Sequence, residues 1–508
     1  SVAVFLQDAC LQHRYIRERD ISNIVERPER LRAVKIGISA AISRLEELYG
    51  VASNDDGIDP DALADAIARM DIASSAKSKR VTAALSPAIP VRIVQSAATL
   101  DILHHPAVKY IHGDIEGDVY LEKLLHLSKT SADKIAEGES EIPEGLSQGD
   151  LYLCPTSLDA IQGALGTVCE AIDTVVEASR STFVSDVRRA FVAIRPPGHH
   201  CGEDTPSGFC FVNNVAVGAA HAHLKHGINR VVILDIDLHH GNGTQSIVWQ
   251  INEEAYREKL EHEAGSPGKD KPSLQVYYGS VHDILSYPCE DGKAELIQAA
   301  SISIHGPHGQ HIENVHLEPY ESEEQFWDVL YRGAYSRLLR KGQEFLERTG
   351  SDTDDTMVFL SAGFDASEHE YSSMSRHNRR VPTSFYHRFT RDVCVFAEKW
   401  AGGRVVSVLE GGYSDKALLS GAMAHLVGMV DGPGDPLSRE MWWTSEIVEK
   451  LSKLTKRRRG KVSLSSSATP TAWLERSMAL LAWIDPTAPT SSGRHAYIPP
   501  SGRTLRSR

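Results

Sequence analysis

Short apolar runs alternate with longer amphipathic stretches along most of the chain. Residues 190–194 (AFVAI), 230–236 (RVVILDI), 274–278, 299–304, 357–361 and 404–409 read as strands, and 91–94 as a shorter one. The run 230–236 is apolar nearly throughout, which marks a central parallel strand covered on both faces. Helical patterns run over 30–48 after Pro28, parts of 104–125, 157–178, 214–226, 324–347, 383–400 and 414–429. Strands alternating with helices predict an α/β fold with a parallel sheet. In such sheets function gathers in the loops beyond the C-terminal strand ends.

Three stretches break the rhythm. Residues 51–87 are rich in Asp, Ala and Ser, with short helical potential in DPDALADAIARM, and read as a surface insertion. Residues 252–271 (NEEAYREKLEHEAGSPGKDK) are charged and read as a second surface insertion, a loop or a helix. Past residue 450 the chain turns basic, then Ser-rich, then forms one short apolar helix (AWLERSMALLAWI) before a Pro/Ser/Gly end. The division is therefore one domain over 1–450 and an extension over 451–508. The apolar helix needs a surface to cover it, either this body or a second subunit, so a homodimer is one expectation.

Composition narrows the class. Hydrophobic residues at 41% and charged residues at 24% are ordinary for a soluble globular protein. Seven cysteines without a C-x-x-C pair argue against a disulfide framework and against a thiolate zinc site, and fit a reducing intracellular compartment. No apolar run reaches the ~18 residues of a membrane span. The start, SVAVFLQDAC, has no basic region and does not read as a signal peptide. The net charge of −14 is uneven: residues 451–508 carry +9 and the other 450 about −23. An acidic body argues against a protein coated in phosphate-binding surface. The run KRRRGK is a solvated linker or a nuclear import signal.

Four apolar runs end in polar residues that packing does not need. RPPGHHCG brings His199 and His200, and ILDIDLHHGNGTQ brings Asp235, Asp237, His239 and His240. VFLSAGFDA brings Asp365, and VVSVLEGGYS brings Glu410 and Tyr413. Each has an ordinary explanation alone: a loop His pair, turn-forming aspartates, a helix cap, a helix-start tyrosine. Together on four strand ends they point to a site. Buried carboxylates are costly without a compensating cation. An extended segment turns Asp235, Asp237 and His239 to one side, and an Asp/His set without Cys suits a catalytic divalent cation, which Asp365 can join.

The motifs RPPGHH, GFCFVNN, DLHHGNGTQ, SAGFDA and LEGGY, in this order, resemble the zinc-dependent histone deacetylase family, nearer its class II branch and its divergent fungal members. The resemblance runs from about Gln7 to Val430. It implies an arginase–deacetylase α/β fold with about eight parallel strands and helices on both faces. It implies hydrolysis of acetyl-lysine, in histone or other protein tails, to lysine and acetate. Zinc would be held by Asp237, His239 and Asp365. His199 and His200 would flank the attacking water, with Asp235 and Asn242 as their respective partners, and Tyr413 would donate to the acetyl oxygen. Gly208 and Phe209 would line the acyl-lysine tunnel with Tyr287 opposite, and Gly411 and Gly412 join the substrate-binding set. A structural potassium ion would sit among Asp235, Asp237, His239, Ser280 and Val281. Acetylated protein tails would be the partners, without nucleic acid or membrane, in the nucleus ahead of the cytoplasm, with a role in transcriptional repression.

The match departs at the rim. Relatives carry Asp before the Cys-Pro pair; here Leu153 precedes Cys154, and Asp150 is offset. EHEYSSM follows the Asp365 motif, and HDILSYPCEDG replaces the usual tunnel loop. Alternatives are an acetylpolyamine or small-molecule amidohydrolase and an inactive acetyl-lysine-binding scaffold. A binuclear manganese ureohydrolase would want a carboxylate at Ser367 and His in place of Asp237.

Overall fold

The computed structural model describes residues 1–50, 89–113, 119–181, 187–267, 272–430, 436–453 and 472–485. The expected insertion 51–87, residues 268–271 of the second one and the basic run 456–461 lie outside the described residues.

Among the described residues nine strands form one sheet: β1 Val2–Gln7, β2 Val91–Ser96, β3 Arg189–Ala193, β4 Arg230–Asp235, β5 Gln275–His282, β6 Ser303–His305, β7 His311–His316, β8 Thr356–Ala362 and β9 Val405–Leu409. Their order is β2-β1-β3-β9-β8-β4-β5-β7-β6. Eight are parallel, and β6 adds an antiparallel edge against β7. The expected count of about eight parallel strands thus gains a ninth, reversed one. Every residue of β1, β3, β8 and β9 is buried, so helices cover both faces.

Two strands escaped the sequence pattern. The apolar run of β1 lies at the start of the chain, where it was weighed only as a leader. The residues of β7, HIENVH, are mostly polar, and its buried Glu313 is paired with Arg337 at 2.6 Å and hydrogen-bonded to His305 Nε2 at 2.8 Å. The run 299–304 divides between the end of the short helix Ala294–Ala299 and β6. Most of the supposed insertion 252–271 belongs to one helix, Asn242–Glu263, which starts at the strand-end motif. The stretch 324–347 splits into a π-helix Gln325–Tyr335 and an α-helix Arg337–Thr349.

The helix Ala472–Ile484 lies along the helix Glu29–Leu48 of its own chain. Trp473, Leu480, Leu481 and Ile484 are buried, and the Arg44 guanidinium sits 4.3 Å above the Trp473 ring. Arg476 grips Glu46 at 2.7 and 2.8 Å, and Asp485 pairs with Arg32 and, at 3.3 Å, with Lys35. A chain ended after Lys453 should therefore lose about 3–5 kcal/mol of stability, since four apolar side chains leave the interior. Urea unfolding checks this; an unchanged midpoint would mean that the helix covers nothing the fold depends on.

Candidate active site

The strands that carry the four motifs, β3, β9, β8 and β4, are neighbours in the sheet. All run parallel, so their C-terminal loops open side by side and converge. Residues 200 and 413 meet for this reason, not because of sequence spacing.

Strand β4 stops at Asp235, and the chain then turns. Asp237, His239 and Asp365 do gather, but by successive turns instead of alternation along a strand. The Asp237 amide donates to Asp235 Oδ1 at 3.1 Å, and the His239 amide to Asp237 Oδ1 at 3.0 Å. One ligand atom from each of Asp237, His239 and Asp365 lies within 4.8 Å of the others, all buried. His239 Nδ1 stands 3.1 Å from both Asp237 Oδ1 and Asp365 Oδ2. Burial and the Asp237 charge raise the Asp365 carboxyl above its usual range. Burial disfavours protonation of His239, yet the two carboxylates lift it to about 10. Two buried carboxylates facing one imidazole leave excess negative charge that a divalent cation would relieve, so the donor set fits a metal. Gly411 completes the wall. Its amide donates to Asp237 Oδ2 at 2.7 Å, and a Cβ there would run into the Asp365 and Asp237 carboxylates.

His199 and His200 stack obliquely, 4.1 Å between centroids. His199 Nδ1 lies 3.1 Å from Asp235 Oδ2, and His200 Nδ1 lies 2.8 Å from Asn242 Oδ1. The partners separate the two rings chemically. Burial opposes a charge on His199, but the Asp237 and Asp235 carboxylates hold it up at about 10. Burial, together with the charges of His199 and His239, drives His200 well below its ordinary value. His240 stands apart: its Nε2 meets Gln245 Oε1 at 2.9 Å and its ring packs on His282 at 4.7 Å.

Gly208 and Phe209 both adopt positive φ, 48° and 69°. A Cβ on Gly208 would strike the His200 ring and Tyr287, so the tunnel wall closes only around glycine. The Tyr287 ring meets His200 edge-on at 4.8 Å, and Phe209 lies 5.6 Å from the Tyr413 ring. Tyr413 is buried, and burial with the Asp365 charge holds its hydroxyl protonated, well above the ordinary tyrosine value. Ser414, not Tyr413, caps the helix Asp415–Met429. Gly412 takes φ 107° beside it. Asp235 and Ser280 are register partners on β4 and β5, with Val281 next along β5. Ser280 Oγ lies 2.8 Å from His282 Nδ1. At the rim, Leu153 is buried, its amide donating to Glu141 at 3.1 Å. Asp150 accepts from Ser147 Oγ at 2.8 Å, and its charge adds to burial in raising the Tyr287 hydroxyl to about 12.

Several residues support the site, and of these only Glu410 stood out in the sequence. Arg30, on the helix Glu29–Leu48, donates to the Gly412 carbonyl at 2.6 Å and the Glu410 carbonyl at 2.5 Å, and its guanidinium lies 5.0 Å from the Tyr413 ring. Glu370 accepts the Tyr413 and Ser414 amides, each at 2.8 Å. Glu410 accepts the Gly198 amide at 2.7 Å and so ties the loop after β9 to the His pair. Burial raises both carboxyls to about 7. The Tyr278 hydroxyl donates to Asp235 Oδ2 at 3.1 Å, the oxygen that His199 also contacts. Arg30, Glu370 and Tyr278 look structural in the linear pattern; only the fold brings them beneath the loops.

A family model described as the histone deacetylase domain matches residues 75–429. The chain belongs to the histone deacetylase family. Histone deacetylase HOS3 of Saccharomyces cerevisiae is 36% identical to this family member over 469 residues, covering 89% of this chain and 59% of HOS3. Polyamine deacetylase HDAC10 of Homo sapiens is 27% identical over 315 residues, 62% of this chain and 40% of that one. The chain thus spans less than two thirds of the length of these relatives. In fold, the chain superposes on the crystal structure of the HDA15 HD domain with a TM-score of 0.52 at 21% identity, over 90% of this chain and 97% of that one. No helix among the described residues is long and apolar enough to cross a membrane.

Proposed function

We propose that the chain hydrolyses acetyl-lysine in histone or other protein tails to lysine and acetate, with zinc held by Asp237, His239 and Asp365. The observation that carries this is the convergence of that buried cluster with two imidazoles of opposite acid–base character. When bound, zinc supplies Lewis acidity, polarising the amide carbonyl and making water a nucleophile near neutral pH. His200 directs its Nδ1–H to Asn242, which leaves Nε2 free to take the proton of the attacking water. His200 then returns that proton to the leaving amine. His199, held by Asp235, stays cationic and stabilises the negative charge that builds on the acyl group. The Tyr413 hydroxyl donates to the acyl oxygen as it becomes an oxyanion. Gly208, Phe209 and Tyr287 wall the lysine chain, and Gly411 and Gly412 bring Tyr413 to it. A potassium ion among the oxygens of Asp235, Ser280 and the backbones of Asp237, His239 and Val281 would brace the β4 and β5 ends.

The acidic body, about −23 outside the tail, suits Lys/Arg-rich protein tails. That suits a cationic substrate and fits nuclear work on acetylated chromatin proteins, with the basic extension as an address. A second reading, acetylpolyamine hydrolysis, uses the same chemistry. Acetate release from acetyl-lysine peptides and from acetylpolyamines, with and without chelator, separates the two. The expected result is chelator-sensitive release from peptides; release from neither substrate overturns the enzyme reading and leaves a binding scaffold. Tyr413→Phe should lower kcat by about 10²–10³ with little change in KM. Near-full activity would remove Tyr413 from the mechanism.

A further inference from the structure

A second group of metal-type donors lies between helices. The helix Asn214–His226 packs against both Ser157–Arg180 and Pro106–His112. One ligand atom from each of His105, Cys169 and His221 lies within 4.8 Å of the others, the same spread as in the Asp237, His239 and Asp365 cluster. Asp173, one turn beyond Cys169, forms an overlapping group with His221 and His226. The site is separate from the catalytic loops. The helix Asn214–His226 begins there, Asn214 donating to the Pro196 carbonyl at 3.1 Å, and His221 lies about 10 Å further along its axis.

The hydrogen bonds show which atoms are free to ligate. Asp173 Oδ1 takes His221 Nε2 at 2.8 Å and His226 Nε2 at 2.7 Å, while Lys225 holds the other oxygen at 2.7 Å. Asp173 is therefore satisfied, and as the acceptor it fixes the Nε2–H tautomer of His221, which puts the ring's lone pair on Nδ1. The His105 ring stacks on His221 at 5.6 Å, and its buried Nδ1 has no hydrogen-bond partner among the described residues. The Cys169 thiol is buried at 7% exposure beside them. An imidazole oriented by a carboxylate through its other N–H is the usual support of a metal-ligating histidine. One sulfur and two imidazole nitrogens suit zinc better than calcium or magnesium.

We propose that His105, Cys169 and His221 bind a second transition-metal ion, Zn2+ by donor type, with Asp173 positioning His221. On binding, the Cys169 S–H gives its proton to solvent and a metal–sulfur bond forms. His105 is partly exposed, so water can supply the fourth ligand. The ion pins the segment that opens the helix Pro106–His112 to two helices covering the sheet, a structural role.

Cobalt substitution of the full chain tests this, because the Asp237, His239 and Asp365 cluster contains no sulfur. The expected result is a thiolate-to-cobalt charge-transfer band in the wild type and in Asp365→Ala. The band should vanish in Cys169→Ser, and zinc content should fall by one equivalent per chain. His105→Ala, at a less buried position, should weaken metal retention at this site even if Cys169→Ser perturbs packing. Absence of the band, or a band unchanged by Cys169→Ser, overturns the proposal. The readout is independent of deacetylation, so failure here and failure of the catalytic reading are distinguishable.

Discussion

His200→Ala is expected to lower kcat/KM for acetyl-lysine peptides by about 10²–10⁴, and His199→Ala by distinctly less. The asymmetry comes from the partners. Asn242 is neutral, and burial above all holds His200 well below its ordinary value, which leaves Nε2 able to accept a proton. Asp235 is a carboxylate, and with Asp237 it keeps His199 protonated to about 10 against the effect of burial. A ring charged at neutral pH stabilises an oxyanion but cannot remove a proton. Asn242→Asp supplies the converse: a carboxylate behind His200 should raise its pKa and move the acidic limb of the kcat/KM profile to higher pH. Steady-state kinetics with circular dichroism as a folding control decide the matter. A larger loss in His199→Ala than in His200→Ala reverses the assignment.

Glu26→Gln is expected to cost about 3–5 kcal/mol of stability and to reduce activity as well. Glu26 is fully buried. It accepts Arg195 at 2.8 and 2.5 Å, Arg30 at 3.0 Å and the Tyr152 hydroxyl at 2.8 Å. Removing its charge strands two buried guanidinium groups. Arg30 is also the residue that holds the Glu410 and Gly412 carbonyls, so its displacement should loosen the Tyr413 loop. Burial alone would raise the Glu26 carboxyl, but Arg195 and then Arg30 outweigh it and hold the carboxyl far below the usual range. A depressed folded pKa means that this stabilisation is complete above the unfolded value of about 4.3 and is lost as pH falls below it. Urea midpoints from pH 6 to 3 should fall more steeply in the wild type than in Glu26→Gln. Parallel slopes would show that Glu26 is not the group being titrated.

The sequence was most informative where burial is two-sided. An apolar run such as RVVILDI can hardly be anything but an inner strand, and a histidine pair or an Asp-x-Asp-x-His run immediately after one is conspicuous because apolar neighbours give it no packing reason. The central strands, the helices between them and the identities of Asp237, His239, Asp365, His199 and His200 were legible on that basis. β7 was not, because its polar residues are buried against partners contributed by other elements.

By itself, then, the chain determined its α/β class, its motif order and the chemical types available at four strand ends, since these depend on local periodicity and composition. The tertiary structure alone decided that β3, β9, β8 and β4 are neighbours, which is what turns four separate motifs into one site. It also decided that the terminal apolar helix covers the helix Glu29–Leu48 of its own chain, and that Arg30, Glu370 and Tyr278 stand beneath the catalytic loops. It brought His105, Cys169 and His221 together across more than a hundred residues. The physical reason is common to all of these: hydrogen bonds, ion pairs and metal coordination act over a few ångströms in space. Distance along the chain does not report that separation until strand order and helix packing have been set.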